Sequence, residues 1–421
     1  MGSTLTETTQ KATPYCWIMW SMAAAFIFYK YVVEVSPSVM TDELMQAYSI
    51  HGARLGNLAA SYFYAYLLMQ LPVGILLDRY GVRFITFFAI IFCAAGTLLL
   101  GHTDNIFYAE IGRFISGFGA AFAAVSMLKL TATWFSTRQF ALLAGLMMSV
   151  GMTGAVFGQA PLAEMISSLG WRLSLTVIGF IGLLLAVAYL FIVRDKPKLK
   201  NHEPYPFLKG LGLLLKNNQT WWLSIYSGLA FTPISVLGGV WGVPFLITSF
   251  HFTRTAAATD ISLVFIGFAI GAPLFGFISD RLGKRKPVIL AGTFISTILA
   301  IFIVYIHLSL WALALGFFAF GFFLSTFMLS FAMIRENNPL FIAATALAFM
   351  NLFNALLCAL SEPLVGLILD ILWGGKKSHN IPVFTATNYE IALTLIPVYL
   401  ILAMVCLFKI KETRCEQFVL E

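Results

Sequence analysis

The sequence predicts an all-α membrane protein of twelve transmembrane helices in two pseudo-symmetric six-helix bundles. Three observations predict it: an apolar excess that water could not tolerate, apolar runs that fall into two sets of six, and a pattern that recurs at a fixed offset. Of the 421 residues, 60% are hydrophobic and 11% charged, and mean hydropathy is +0.87. A soluble domain is about 45–50% apolar and about 25% charged. So few charges could not coat a water-facing surface, which excludes a cytosolic enzyme, a nucleic-acid binder and a disordered scaffold. The 40 Phe and 9 Trp suit an exterior that faces lipid. A formal charge of +7 would suggest nucleic acid in a soluble chain; here the orientation rule for membrane proteins explains it better.

A membrane-spanning helix needs roughly 20 predominantly apolar residues. Apolar runs fall near 15–39, 54–77, 83–101, 106–130, 139–166 and 173–193, then near 219–249, 258–279, 287–307, 309–334, 341–371 and 389–408. The expected organisation is a cytoplasmic tail over 1–14, a bundle over 15–193, a cytoplasmic linker over 194–218, a second bundle over 219–409 and a cytoplasmic tail over 410–421. The polar start, Met1 to Pro14, runs into an apolar stretch too long for a signal core, so no cleavable signal peptide is expected.

Charge tests the span count. With the N-terminus inside, inner segments hold Lys11, Arg79, Arg83, Arg138, six linker residues (Arg194, Lys196, Lys198, Lys200, Lys209, Lys216), Arg281, Lys284, Arg285, Lys286, Arg335, Lys409, Lys411 and Arg414, a total of 18. Outer loops hold five: Arg54, Arg172, Arg254, Lys376 and Lys377. That asymmetry predicts both termini inside, and a miscounted span would have scrambled it. Lys30, Arg113 and Lys129 lie within apolar runs. The five cysteines (Cys16, Cys93, Cys358, Cys406, Cys415) form no CxxC pair, so neither a disulfide framework nor a zinc site is indicated. The six histidines show no metal spacing.

The halves repeat each other. Gly74-Ile-Leu-Leu-Asp78-Arg79-Tyr-Gly81-Val-Arg83 follows the second run, and Gly276-Phe-Ile-Ser-Asp280-Arg281-Leu-Gly283-Lys-Arg285 follows the eighth, offset by 202 residues. Pro161-Leu162 and Pro363-Leu364 share the offset. Parallel six-span repeats mark a secondary-transporter architecture with its site near the midplane between the halves.

The pattern G-x-x-x-D-R-x-G-x-R in both halves resembles the signature loop of the major facilitator superfamily, and Arg113-x-x-x-Gly117-x-Gly119 is similar to its second motif. Glu43-Leu44-Met45, Leu55-Gly56-Asn57-Leu58, Tyr62-Phe63-Tyr64, Trp134-Phe135 and Gly170-Trp171-Arg172 resemble the phagosomal transporter branch of intracellular bacterial pathogens, whose members take up amino acids or nucleosides. The resemblance covers the whole chain. It implies a monomeric, multi-pass protein of a bacterial inner membrane.

Gly74, Asp78, Arg79, Gly81 and Arg83, with Gly276, Asp280, Arg281, Gly283 and Arg285, read as a conformational latch. The first glycine permits close helix approach, the second a sharp turn, and the aspartate caps a helix N-terminus or pairs with a cation. Such contacts bias access if they exist only with the inner side shut. Gly154 and Gly158 in the fifth run permit close packing, and their surface is also a place where halves could slide.

A charge in the membrane core costs at least about 2.5–3.5 kcal/mol, so it faces a cavity or a partner. Lys30 and Glu34 lie on one face of the first helix at i, i+4. Asn351, Asn354, Cys358 and Ser361/Glu362 form a polar stripe on the eleventh. From the resemblance, both helices line the cavity. The substrate-binding candidates are Lys30, Glu34, Tyr62, Arg113, Gln159, Trp241, Asn351, Asn354 and Glu362, with Glu34 and Glu362 as proton carriers. Tyr29, Tyr66 and Tyr226 could offer further ring faces. Each has a plainer alternative: Lys30–Glu34 as a self-neutralising pair, Glu362 as a hydrogen-bond partner of a neighbouring helix, Arg113 as a buttress between helices one and four. Lys129 is expected to snorkel to the interface, and Glu110 to be solvated at the outer one.

The expected function is secondary active import of a small polar solute, most simply an amino acid, coupled to protons by alternating access. A zwitterion needs a cation for its carboxylate (Lys30 or Arg113) and an anion for its ammonium (Glu34 or Glu362). The rivals are a drug or metabolite exporter of the same fold, a nucleoside or organic-anion importer, and a membrane enzyme or transport-dead sensor. An enzyme would want a clustered His, Asp or Cys constellation, which the sequence lacks. With no G-x-x-x-x-G-K-[ST], ATP-driven pumping is not expected. No cofactor, metal or nucleic-acid partner is implied; solute, protons and the lipid bilayer are.

Overall fold

The computed structural model describes residues 14–196, 207–339, 342–378 and 381–416. Lys11, Lys198, Lys200, Pro197, Pro204, Pro206, His202 and His379 lie outside the described residues, as do most of the expected tails and the middle of the linker.

Among the described residues, eleven helices are long and apolar enough to cross a membrane: span 1 (Pro14–Val39), span 3 (Val82–His102), span 4 (Ile106–Trp134), span 5 (Leu142–Leu169), span 6 (Trp171–Ile192), span 7 (Asn218–Phe250), span 8 (Arg254–Leu282), span 9 (Lys286–Tyr305), span 10 (Leu310–Glu336), span 11 (Ala343–Leu372) and span 12 (Ala386–Lys409). The twelfth, span 2, comes in two pieces, Gly52–Met69 and Pro72–Tyr80, bent by 60°. Pro72 explains the bend: it brings no backbone N–H and its ring crowds the preceding turn. The protein is a multi-pass membrane protein, with rings such as Phe191, Trp311 and Phe408 exposed towards lipid. Helix Phe207–Lys216, which carries Lys209, precedes span 7, and a two-stranded hairpin (Lys377–Ser378 with Ile381–Pro382) joins spans 11 and 12.

Spans 1 and 7 break at corresponding places. In span 1 the α-helix ends at Val35 and gives way to a 3-10 turn over Ser36–Val39, with Pro37 in its first turn. In span 7, Pro233 precedes a π-helix over Val236–Trp241. The two breaks pack on each other. The halves, spans 1–6 and 7–12, also meet through span 2 on span 11 and span 5 on span 8. Irregular backbone at membrane depth is tolerated only where protein buries it, and these breaks are buried.

Glycine sets the closest helix contacts. A Cβ at Gly117 would run into the Tyr62 backbone, so span 4 touches span 2 there. Gly321 does the same against Val264, bringing span 10 onto span 8. The glycines of span 5 pack inside their own half: Gly151 faces Tyr31, Gly154 the Phe28 backbone, and Gly158 Val32 and Val35 of span 1. These three serve intra-half packing, which corrects the expectation of a sliding surface between the halves.

Gly117→Ala should lower thermal stability by the equivalent of about 1–3 kcal/mol, because a backbone carbonyl cannot yield to the added methyl. Gly145→Ala, where a Cβ meets nothing within 4 Å, should be neutral or slightly stabilising in a helix. Unfolding curves of both variants in one detergent check the contrast.

Candidate functional site

Both ends of the described chain and the connection between spans 6 and 7 share one face, here the terminal face; the other is the opposite face. Between them the intramembrane charges come together, all buried: Lys30 5%, Glu34 9%, Arg113 2% and Glu362 1% exposed. None lies against acyl chains.

Lys30 Nζ pairs with Glu34 Oε2 at 2.5 Å. The ammonium lies 3.6 Å from the Tyr31 ring centre and 5.4 Å from that of Tyr66, so aromatic faces supply what water would. Arg113 reaches from span 4 to the broken end of span 1. Its Nη1 donates to the Val33 carbonyl at 2.7 Å and its Nη2 to that of Glu34 at 3.2 Å. The last carbonyls of a helix lack intrahelical donors, and a cation there also opposes the helix dipole. The guanidinium lies 4.9 Å from the Tyr62 ring; Arg113 Nε and the Tyr62 hydroxyl make no hydrogen bond among the described residues.

Glu362 sits across the boundary between the halves. Ser235 Oγ donates to its Oε1 at 3.2 Å, while Oε2 has no partner among the described residues. Trp241 Nε1 donates to the Glu362 backbone carbonyl at 3.1 Å. Below this, Ser227 Oγ donates to Asn354 Oδ1 at 2.8 Å and Thr232 Oγ1 meets Cys358 Sγ at 3.9 Å. The polar stripe of span 11 thus meets a matching stripe of span-7 hydroxyls. Asn351 is half-buried and makes no hydrogen bond among the described residues. Ser361 turns off the stripe to Tyr399.

The expected water-filled crevice is collapsed at this level. Glu34, Ser235 and Gly239 border a void of about 20 Å³, closed by Tyr31, Met152, Phe231 and Phe265, with room for about one water. Gln159 lies in the seam between the halves: its Nε2 donates to the Gly238 carbonyl at 2.6 Å and its Oε1 accepts from Ser38 at 3.1 Å. Tyr226 bonds Thr293 inside the second half, and Tyr29 packs against Gly182 of span 6. Glu110 is not left to solvent; it accepts from Arg54 and Asn57, each at 2.8 Å.

The opposite face is clamped. The Asp370 carboxylate at the end of span 11 accepts from Gly52 N at 2.9 Å and Ala53 N at 2.7 Å, capping the N-terminus of span 2 across the boundary. Gly52 and Gly56 let span 2 lie against the backbone of Gly366 and Glu362. Glu43 pairs with Arg254, and Thr255 Oγ1 donates to Glu164 at 3.3 Å. Sequence reasoning missed Asp370, Glu164 and the span-7 hydroxyls; an aspartate in the last turn of span 11 and hydroxyls at helical spacing were the available signals.

At the terminal face, the latch residues bond within their own halves. Lys129 Nζ reaches the exposed Asp78 carboxylate at 2.7 Å and the Leu77 carbonyl at 2.6 Å, a structural role at the end of its span. Gly81 turns at φ +87°, Arg83 Nε donates to the Leu190 carbonyl, and Asp195 accepts from Val82 N at 2.7 Å and from Arg83 N at 3.3 Å. Arg79 lies 5.4 Å from the Tyr80 ring. In the second half Gly283 turns at φ +63°, Arg285 binds Asp280 at 2.5 Å and Glu336 at 2.9 Å, and Arg281 is exposed. Glu412 accepts from Arg285 N and Lys286 N, each at 2.9 Å. Gly74, Gly145 and Gly276 face open space. The Asp78 and Asp280 pairs each lie within one half, so those pairs do not by themselves tie the halves together.

A family profile described as Major Facilitator Superfamily matches residues 18–361 and 223–417. The chain belongs to this superfamily. By family it is a transport protein, not an enzyme. An uncharacterized transporter of Bacillus subtilis (YybO) is 27% identical over 51% of this chain and 54% of its own length. A probable L-galactonate transporter of Escherichia coli is 23% identical over 63% and 64%. The matched region thus spans between half and two thirds of these relatives. The lysosomal dipeptide transporter MFSD1 of Mus musculus is 24% identical over 92% of this chain and 84% of its own. Among solved structures, an inward-facing, unoccupied bacterial homologue of the lysosomal transporter Spinster superposes with a TM-score of 0.78 at 17% identity, covering 95% of this chain and 97% of that one. The nucleoside transporter NupG gives 0.71 at 16%, covering 93% and 100%.

Asp370→Asn removes the charge from two charge-assisted bonds worth about 1.5–3 kcal/mol each. The opposite face should then open about tenfold more often, read as a longer-distance population between spin labels at Ser49 and Trp311 in a background without the native cysteines. For Glu412, burial alone would raise the carboxyl, but backbone N–H donors of Arg285, Arg414, Lys286 and Thr413 outweigh it and hold the group below its ordinary value. A depressed value means stability that is present above the ordinary carboxylate range and lost as pH falls through the depressed one. Glu412→Gln should melt below wild type at pH 7, and the gap should close as pH is taken below about 4.

Proposed function

We propose that this chain is a secondary active transporter that imports a small carboxylate-bearing solute, an amino acid first, together with a proton. The observation that carries the reading is the charge balance of the buried cluster. Lys30, Glu34 and Arg113 sum to one positive charge, and Glu362 is a buried carboxyl with one hydrogen bond and no ion-pair partner among the described residues. With Glu362 protonated, the cluster is neutralised by a solute with one net negative charge, which among amino acids means an acidic one. With the solute gone, the ionised Glu362 restores neutrality. Solute and proton therefore load and leave together.

The Lys30–Glu34 pair gives the site a resting state. A solute carboxylate that takes Lys30 releases Glu34 for the solute's ammonium, so one internal pair becomes two pairs with the ligand. Neither Lys30 nor Glu34 is then left unpaired in low dielectric, where breaking a buried pair costs about 3–5 kcal/mol. Both termini are assigned to the cytoplasm of a bacterial cell, on the charge bias of the loops. On that assignment the conformation described is closed on its outer side, by Asp370, Gln159 and the Glu43–Arg254 pair. A second reading, a sugar acid or sulfonate, is favoured by relatives named as probable transporters of L-galactonate, galactarate/D-glucarate and sulfoacetate; such an anion needs Lys30 and Arg113 but not Glu34.

The test is uptake into proteoliposomes after a thermal-shift screen of amino acids, small peptides and sugar acids, since a ligand of the folded state raises its melting temperature. Wild type should accelerate at least about tenfold with an inside-alkaline gradient, a factor worth about 1.4 kcal/mol. Glu362→Gln should lose that acceleration yet retain counterflow, and an unaltered response to the gradient would remove the proton role. Glu34→Gln should abolish amino-acid counterflow but spare a sugar acid, which separates the two solute readings.

A further inference from the structure

A cavity of about 420 Å³ lies on the opposite face, away from the Lys30–Glu34 cluster, and its walls come from both halves. Asp42 and Gln46 enter from the short helix Thr41–Tyr48 between spans 1 and 2. The end of span 7 contributes Ile247 and Thr248, and the connection into span 12 contributes Phe384 and Tyr389. Asp42 is the only charged residue in this lining among the described residues. It makes no hydrogen bond or ion pair among the described residues, and the cation that acts on it, Arg254, is bound by the neighbouring Glu43. Asp42 stands exposed at the mouth of the cavity, where the surrounding protein first, then the Glu43 carboxylate, push its carboxyl above its ordinary range. A cation arriving there meets a carboxylate with no hydrogen bond or ion pair of its own among the described residues. Beside the polar Gln46, Thr248 and Ser378, the wall carries Ile247, Pro244, Pro382, Val383 and the edges of Phe384 and Tyr389, a surface that suits an apolar group.

We propose that this cavity binds an organic monoammonium ion, a primary amine borne on an apolar or aromatic group, and that its occupancy holds the opposite face shut. Asp42 takes the ammonium and the Ile247–Phe384–Tyr389 wall takes the apolar part. Because one wall belongs to spans 1–6 and the other to spans 7–12, the site is complete only while the halves are clamped on this face. A ligand that binds one state alone shifts the population towards it. The site is therefore inhibitory towards transport, whichever solute is carried.

Benzylammonium is the probe and benzyl alcohol its neutral isostere, each titrated on the full-length protein at neutral pH over a range reaching about 10 mM, where even a weak site with a dissociation constant near 1 mM fills. Benzylammonium should raise the melting temperature saturably, benzyl alcohol should not, and Asp42→Asn should abolish the difference. In the Asp370→Asn variant, benzylammonium should return the Ser49–Trp311 distances to the closed population. Equal shifts by the two probes, or a benzylammonium shift retained in full by Asp42→Asn, would overturn the site. Binding with no return to the closed population would overturn the inhibitory role. Neither outcome bears on the proton or solute assignment, which rests on Glu362 and Glu34.

Discussion

Low dielectric is the constraint on which the structure depends: a charge inside the membrane must find its partner within the protein. Lys30 finds Glu34 one helical turn away, a match that needs no tertiary contact. Arg113 finds carbonyls, which exist only because span 1 stops being a regular helix at Val35. The break and the arginine therefore belong together. Without the 3-10 turn, Val33 and Glu34 would spend their carbonyls inside the helix. Without the guanidinium, both carbonyls would lose a donor at membrane depth, where an unpaired one costs several kcal/mol, and Val33 would be left with the Ser36 hydroxyl. Glu362 is the exception, since its Oε2 is left without a partner among the described residues. Lys30, Glu34 and Arg113 each have an ion-pair or carbonyl partner, whereas the Glu362 carboxyl has one hydroxyl and no cation bonded to it among the described residues.

The same logic operates at the helix ends. On the opposite face, the N-terminus of span 2 is capped by Asp370 from the other half. On the terminal face, the N-termini of spans 3 and 9 are capped by Asp195 and Glu412 from their own halves. The interaction is physically one and the same, a carboxylate on backbone N–H groups at the positive end of a helix dipole. What differs is whether it crosses the boundary. The crossing one must break when the halves rock; the others hold the half together while it moves. Rigid halves and a breakable seam thus come from one device used in two places.

The span count and the inward turn of Lys30, Glu34 and Glu362 were legible in the sequence because they rest on local quantities: helical period, apolar length and the cost of burying charge. The break of span 7 was not read in advance, although the repeat offset carries Ser36–Val39 onto Gly238–Trp241, inside the π-helix. What stayed hidden depends on partners far along the chain. Nothing near Asp370 announces Gly52, which lies 318 residues away. Glu110 looked like a solvated interface residue because its partners, Arg54 and Asn57, come from another helix. Gln159 looked like a cavity residue because a lone amide beside a proline carries no sign of direction; the π-helix that frees the Gly238 carbonyl decided it. The hydroxyls Ser227, Thr232 and Ser235 do follow a helical period, but serine and threonine are tolerated anywhere on a buried helix, so the stripe becomes meaningful only beside Asn354, Cys358 and Glu362.

The void of about 20 Å³ beside Glu34 then has a physical sense. A site that binds an ionic solute faces a problem when empty, since its own charges are as costly to bury unpaired as the solute's. An open, flooded crevice solves this with water but gives a proton or an ion a path across. Here Lys30 and Glu34 close on each other, and Tyr31, Phe231 and Phe265 narrow the space beside Glu34 to room for about one water, so the pair is neutral with little solvent around it. Under the proposed function, the internal pair stands in for the solute, and an ionic cargo has to exchange partners with it before the halves change places. The resting ion pair is then part of the proposed coupling, because that exchange precedes any gain or loss of a proton at Glu362.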